Sequence, residues 1–83
     1  MGIEELNGSV VAALISREEY LAARQRIFPS GGSLDWYLRG NRDALIKCGA
    51  LTLIRGRWLI NAQAFDAHVL QAGAAAAAKK VAA

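Results

Sequence analysis

Cysteine, histidine and proline each occur once in this chain, as Cys48, His68 and Pro29. A lone cysteine excludes an internal disulfide, and beside a lone histidine it excludes a Cys/His zinc site. A reducing cytoplasm is therefore the expected compartment. Carboxylates are few, and the neighbours Glu4–Glu5 and Glu18–Glu19 point to different sides of the backbone, so no acid–base pair is implied. No apolar run has the length of a membrane-spanning helix. No basic segment precedes an apolar stretch at the N-terminus, so no signal peptide is expected. Phosphate-loop, nucleophile and metal-ligand spacings are all missing. These absences argue against an enzyme: no catalytic residue, metal, cofactor, small-molecule substrate or membrane partner is expected.

What remains is one small domain of 83 residues with a limited capacity to bury apolar surface. The hydrophobic fraction of 54% is inflated by the alanine-rich end, since Ala74 to Ala78 bury little per residue. The candidate core is Leu14, Tyr20, Leu21, Ile27, Phe28, Leu34, Tyr37, Leu38, Leu45, Leu51, Leu53, Trp58, Ile60, Phe65, Val69 and Leu70. That set suffices for three helices and a hairpin, but not for a deep substrate cavity.

Local signals divide the chain into a lead-in over 1–13, a domain over 14–72 and an alanine-rich tail over 73–83. The lead-in shows no sustained period and reads as loosely ordered, with Val10 to Ile15 a short strand or a segment packed on the core. Ser16 and Glu19 form a capping box in which each side chain satisfies the other residue's amide. Helix one should then run from about Arg17 to Arg26 and stop before Pro29-Ser30-Gly31-Gly32. Ser33 is expected to cap helix two, with Asp35 in its first turn. At about 100° per residue, Leu34, Tyr37, Leu38, Asn41, Ala44, Leu45 and Cys48 share its inner face. Trp36, Arg39, Gly40, Asp43 and Lys47 share the outer face, with Arg42 at the border. Gly49 reads as the left-handed stop. Ala50 to Ile54 and Trp58 to Ile60 form a hairpin around Arg55-Gly56-Arg57. Asn61 caps helix three, in which Ala64, Phe65, His68 and Val69 face inward and Gly73 marks the end. The tail is either a helical extension or disordered, with Lys79 and Lys80 solvated.

The charge pattern is sharper than the net +3 suggests. Between Arg17 and Trp58, eight basic residues (Arg17, Arg24, Arg26, Arg39, Arg42, Lys47, Arg55, Arg57) face four acids (Glu18, Glu19, Asp35, Asp43). Such a balance suits a polyanion, and the excess of Arg over Lys suits forked recognition of phosphate or guanine. Arg39 and Arg42 fit either the acceptor edge of guanine or a phosphate. Gly40 lowers helix stability by roughly 1 kcal/mol relative to Ala, which close approach to DNA or close helix packing would offset. Trp36 is read as a partly buried lid over the core, with stacking on a sugar or base edge as the other reading. Arg55 and Arg57 flanking Gly56 suit a minor groove or the phosphates beside it. Each of these features also has a plain reading as a solvated basic surface or an ordinary polar turn. His68 is expected as a core or interface histidine, and Cys48 as a small packed hydrophobe.

Together, a helix, a second helix closing on Ala44-Leu45-Ile46-Lys47-Cys48-Gly49-Ala50-Leu51, a hairpin reading Ile54-Arg55-Gly56-Arg57-Trp58-Leu59-Ile60 and a helix opening near Phe65 form a pattern. It resembles the MerR-like winged helix-turn-helix of phage excisionases and AlpA-type regulators, over about Leu14 to Leu70. The resemblance implies a mostly α fold of three helices with a two-stranded wing. It makes helix two the recognition helix, with Trp36, Arg39, Gly40, Arg42 and Asp43 toward the major groove and Arg55 and Arg57 on the wing. Lys47 and Gly56 complete the candidate DNA-binding set. The implied function is sequence-specific binding of double-stranded DNA, as a transcriptional regulator or a recombination directionality factor of a phage or mobile element. A domain this small is expected to bind as a homodimer or in tandem on repeated sites. The alternative is a protein-interaction adaptor that presents Trp36 and its basic neighbours to an acidic partner.

Overall fold

A computed structural model describes residues 11–82. Three helices and one antiparallel hairpin follow in the order α1 (Arg17–Ala23), α2 (Gly31–Lys47), β1 (Leu51–Ile54), β2 (Arg57–Ile60) and α3 (Ala62–Ala82). The fold is mostly helical, with the layout of a winged helix-turn-helix. Most of the expected lead-in, residues 1–10, lies outside the described residues.

α1 opens as its sequence requires. The Ser16 side chain accepts from the Glu19 amide at 3.1 Å, and the Ser16 amide donates to the Glu19 carboxylate at 3.0 Å. The helix is shorter than expected and ends at Ala23, because Arg24 leaves the helical region (φ −130°, ψ 39°). The amides of Ile27 and Phe28 both donate to the Arg24 carbonyl. That turn swings Phe28 into the core and leaves Ile27 outside, exposed rather than buried as expected.

α2 begins two residues before the expected cap position. Ser30, in extended conformation, is the N-cap and forms a reciprocal serine box with Ser33, which lies inside the first turn. The helix closes in a Schellman motif: the Gly49 amide donates to Ile46 O at 3.1 Å and the Ala50 amide to Leu45 O at 2.8 Å. Gly49 takes φ 82°, the left-handed conformation that lets the chain reverse there. Ala50 and Leu45 are both fully buried, so the motif is also sealed by apolar contact.

In the hairpin, Leu51 pairs with Ile60 and Ile54 with Arg57. The loop therefore contains only Arg55 and Gly56, and Arg57 belongs to β2. Both loop residues have positive φ (54° and 75°), the signature of a type I′ turn that matches the strand twist. Within the Val10–Ile15 segment, Val11 and Ala12 are helical rather than part of a strand, and Ile15, at the start of the domain, packs on β2 through a single antiparallel bridge to Ile60. Asn61 then caps α3, accepting from the Ala64 amide at 3.2 Å.

Tyr20, Phe28, Leu34, Leu45, Ala50, Leu51, Ile60 and Phe65 form the buried core. Phe65 is its hub, with ring centroids at 4.5 Å from Tyr20, 5.9 Å from Tyr37 and 6.4 Å from Phe28. Of the other expected core residues, Leu53 and Leu70 are exposed and Trp58 is roughly half exposed. Leu53 and Trp58 face each other on the distal half of the hairpin, beyond the reach of the core that covers Leu51 and Ile60. Cys48, expected as a packed hydrophobe, is exposed. Gly73 does not end α3, which runs on to Ala82. A glycine stops a helix when it turns left-handed, and only Gly49 and Gly56 do so among the described glycines. The alanines that follow are the strongest helix formers and carry the helix through.

Candidate nucleic-acid interface

Leu34 and Leu45, both fully buried, set the rotation of α2 about its axis. With those anchors fixed, Trp36, Arg39, Gly40, Asp43 and Lys47 come out on the solvent side. Trp36 is 75% exposed, which overturns the reading of a lid over the core. Its side chain points away from the elements that α2 packs against. Gly40 settles similarly. A Cβ built there meets no heavy atom within 4 Å, so close helix packing does not account for this glycine.

Arg42 occupies the border between the outer face and the hairpin. Its guanidinium carbon lies 5.4 Å from the centroid of the Trp58 ring, within the range of a cation–π contact. Arg42 thereby joins α2 to the wing. Asp35, Leu38, Arg39 and Arg42 line a shallow open depression on this flank of α2. It continues into a narrower cleft where Leu38 and Arg42 of α2 meet Leu51, Trp58 and Ile60 of the hairpin.

Ion pairing sorts the eight basic residues into two groups. Arg17 donates from Nε to Asp35 at 2.7 Å and from Nη2 to the Gly31 carbonyl at 3.0 Å, tying α1 to the start of α2. Arg24 forks onto Asp66, with Nε at 2.7 Å from Oδ1. The Tyr20 hydroxyl donates to the same oxygen at 2.7 Å. These donors hold the Asp66 carboxyl below its ordinary pKa, the Arg24 bond contributing most. Burial, reinforced by Asp66, pushes the Tyr20 phenol well above its ordinary value. Arg17 and Arg24 are thus structural fasteners, and the sequence pattern alone counted them with the basic surface. Arg26, Arg39, Arg42, Lys47, Arg55 and Arg57 form no salt bridge among the described residues. Three of the four nearby acids are already engaged, Glu18 and Asp35 by Arg17 and Glu19 by its cap.

At the hairpin tip, Arg55 and Arg57 are exposed on either side of Gly56. Arg55 holds φ 54°, which costs a β-carbon-bearing residue about 1 kcal/mol and which Asn or Gly would tolerate better. An arginine kept in that conformation at an exposed tip is a functional hint. His68 is half-buried and hydrogen-bonded through Nδ1 to the Tyr37 hydroxyl at 2.9 Å, an inter-helix tie in the aromatic cluster. Among the described residues no three His, Cys, Asp or Glu side chains gather at metal-binding distance, and no helix is long and apolar enough to cross a membrane.

Arg42 thus meets the wing at Trp58, and Arg39 shares the adjoining depression with Arg42. Trp58, expected in the core, belongs to this surface instead; its position beside the tip arginines was the available signal. Comparison with protein-family models, with curated proteins and with solved structures finds no match to this chain.

Proposed function

We propose that this chain is a small sequence-specific double-stranded DNA-binding protein, a transcriptional regulator or an excisionase-like recombination directionality factor. In this reading α2 enters the major groove. Arg39 reads base edges while Trp36, Gly40 and Asp43 face the groove floor, and Arg55 and Arg57 of the wing contact the minor groove or its flanking phosphates. The observation that carries the proposal is the set of basic side chains on α2 and the hairpin that have no acidic partner among the described residues. Asp35 and Asp43 each stand four residues from Arg39, and Asp43 four from Lys47, yet none of these i,i+4 pairs closes into a salt bridge among the described residues. A homodimer or tandem array on repeated sites would supply the affinity that one domain of this size lacks.

The test is an amide NMR titration with a mixed-sequence duplex at low salt. Shifts should concentrate in residues 36–47 and 55–57 and reverse as salt is added. About five phosphate contacts would give a log–log salt slope of roughly −4 to −5. No shift at low salt would refute the proposal. The exposure of Trp36 favours one second reading, an adaptor that inserts this indole into an acidic protein partner. Heparin and duplex DNA columns compared at equal salt separate the two, because a fitted DNA face retains longer on the duplex.

A further inference from the structure

We propose that Arg42 and Trp58 form a preassembled clamp for one phosphodiester of the DNA backbone, seated where the cleft between α2 and the wing opens. Trp58 is the positioning residue and Arg42 the phosphate ligand. The proposal rests on the DNA-binding reading above and goes beyond it by assigning a separate task to each arginine of α2 and a role to Trp58.

Position is the first argument. Arg42 lies about 120° round the helix axis from Trp36, off the face that would meet base edges. It stands on the flank that turns toward the hairpin. A backbone strand leaving the major groove for the groove under the wing has to cross this flank. The cation–π contact is the second. With its carbon 5.4 Å from the Trp58 ring centroid and no hydrogen bond to the protein among the described residues, the guanidinium keeps its N–H groups available to fork onto two phosphate oxygens. An arginine already ordered in this way loses less side-chain entropy when the phosphate arrives.

Charge supplies the third argument. Asp35 is the acid on this flank, and Arg17 engages it at 2.7 Å. Arg39 and Arg42 therefore stand at the mouth with no salt bridge among the described residues, and Asp43, on the outward side of α2, closes no ion pair with either. The floor beneath them is mostly apolar, Leu38, Leu51 and Ile60 against the indole, with the mutually neutralised Arg17–Asp35 pair also on its wall. An anion with an apolar flank fits such a mouth, and the sugar–phosphate backbone has that chemistry. Arg39 has no aromatic partner among the described residues and is left to the bases.

The experiment measures binding of a labelled mixed-sequence duplex across a salt series for the full chain and for Arg42→Ala, Trp58→Leu, Trp58→Phe and the Arg42→Ala/Trp58→Leu pair. Removing Arg42 should weaken binding to all sequences and reduce the salt slope by about one. Trp58→Leu retains an apolar side chain without a π face, so it should weaken binding about threefold while leaving the slope near wild type. Trp58→Phe should recover most of that loss, and the double variant should bind no worse than Arg42→Ala alone. In the free protein, the Arg42 Nε–H resonance should show a ring-current displacement that Trp58→Leu abolishes and Trp58→Phe preserves in part. Losses that multiply in the double variant, or Trp58→Phe behaving like Trp58→Leu, would overturn the clamp while leaving DNA binding in place. Absence of any duplex binding by wild type would overturn the DNA reading and the clamp's phosphate assignment with it. The ring-current measurement, made without DNA, would still report whether Trp58 holds Arg42. If Trp58→Leu lowers the melting temperature sharply, the Trp58→Phe and Arg42→Ala comparison carries the test.

Discussion

Gly40→Ala separates the stability of α2 from its function, because the two should move in opposite directions. Gly40 lies inside the helix spanning Gly31–Lys47, and a Cβ added there meets nothing within 4 Å. The added methyl therefore brings no clash, and the change is governed by helix propensity and by the lower backbone entropy of the unfolded chain. Both favour alanine, together by about 1 kcal/mol. For a domain of this size that corresponds to a rise in melting temperature of roughly 4–8 °C, with an unchanged denaturant m-value. Circular dichroism melts and urea titrations read both quantities. If α2 approaches the major-groove floor at Gly40, the methyl holds the helix back and loosens the contacts beside it. Losing the equivalent of one good base contact weakens affinity roughly tenfold. A variant that is no more stable than wild type would refute the open-space description of Gly40. A variant that is more stable and binds DNA equally well would refute its placement at the point of closest approach.

Other outcomes follow from the same geometry. Arg39→Ala should weaken DNA binding and relax preference at one base position, while Arg57→Ala should weaken binding to all sequences and reduce the salt slope by about one; anisotropy on a randomised duplex set distinguishes them. Phe65→Ala removes the hub of the aromatic core and should destabilise the fold by about 3–5 kcal/mol in urea titrations. Asp66 has its folded pKa depressed chiefly by Arg24, so its contribution is complete above the ordinary carboxyl range and is lost as pH falls through the lowered value. Acid titration should thus show wild type losing stability below about pH 4, and Asp66→Asn should lose about 1 kcal/mol at neutral pH and respond less to acid, a modest value for a half-exposed pair. Deleting residues 74–82 should leave the melting temperature within a degree or two of wild type while lowering helical ellipticity, since the removed turns are solvent-exposed and contribute little burial.

The features legible in the sequence were those built from neighbours along the chain. The Ser16–Glu19 box, the Gly49 stop, the chain reversal at Gly56 and the Asn61 cap each depend on hydrogen bonds or φ values spanning a few residues. Those residues carry the signal themselves. Helical periodicity likewise put Leu34 and Leu45 inside and Arg39, Gly40, Asp43 and Lys47 outside. Periodicity assigns a face but not what covers it, and there the tertiary structure decided. Leu53, Trp58 and Leu70 have the composition of core residues but extend past the elements that would bury them. Trp36, equally apolar, stands in solvent because the packing of Leu34 and Leu45 turns it outward. Gly73 resembled a helix end, yet a glycine ends a helix only by turning left-handed. The candidate site divides in the same way. Its basic residues were visible in the composition, but which of them are committed elsewhere was not. Arg17 meets Asp35 and Arg24 meets Asp66 across 18 and 42 residues of chain, distances over which composition holds no record of pairing. Only folding brings these charges together, leaving Arg39, Arg42 and the wing arginines with their charge turned outward.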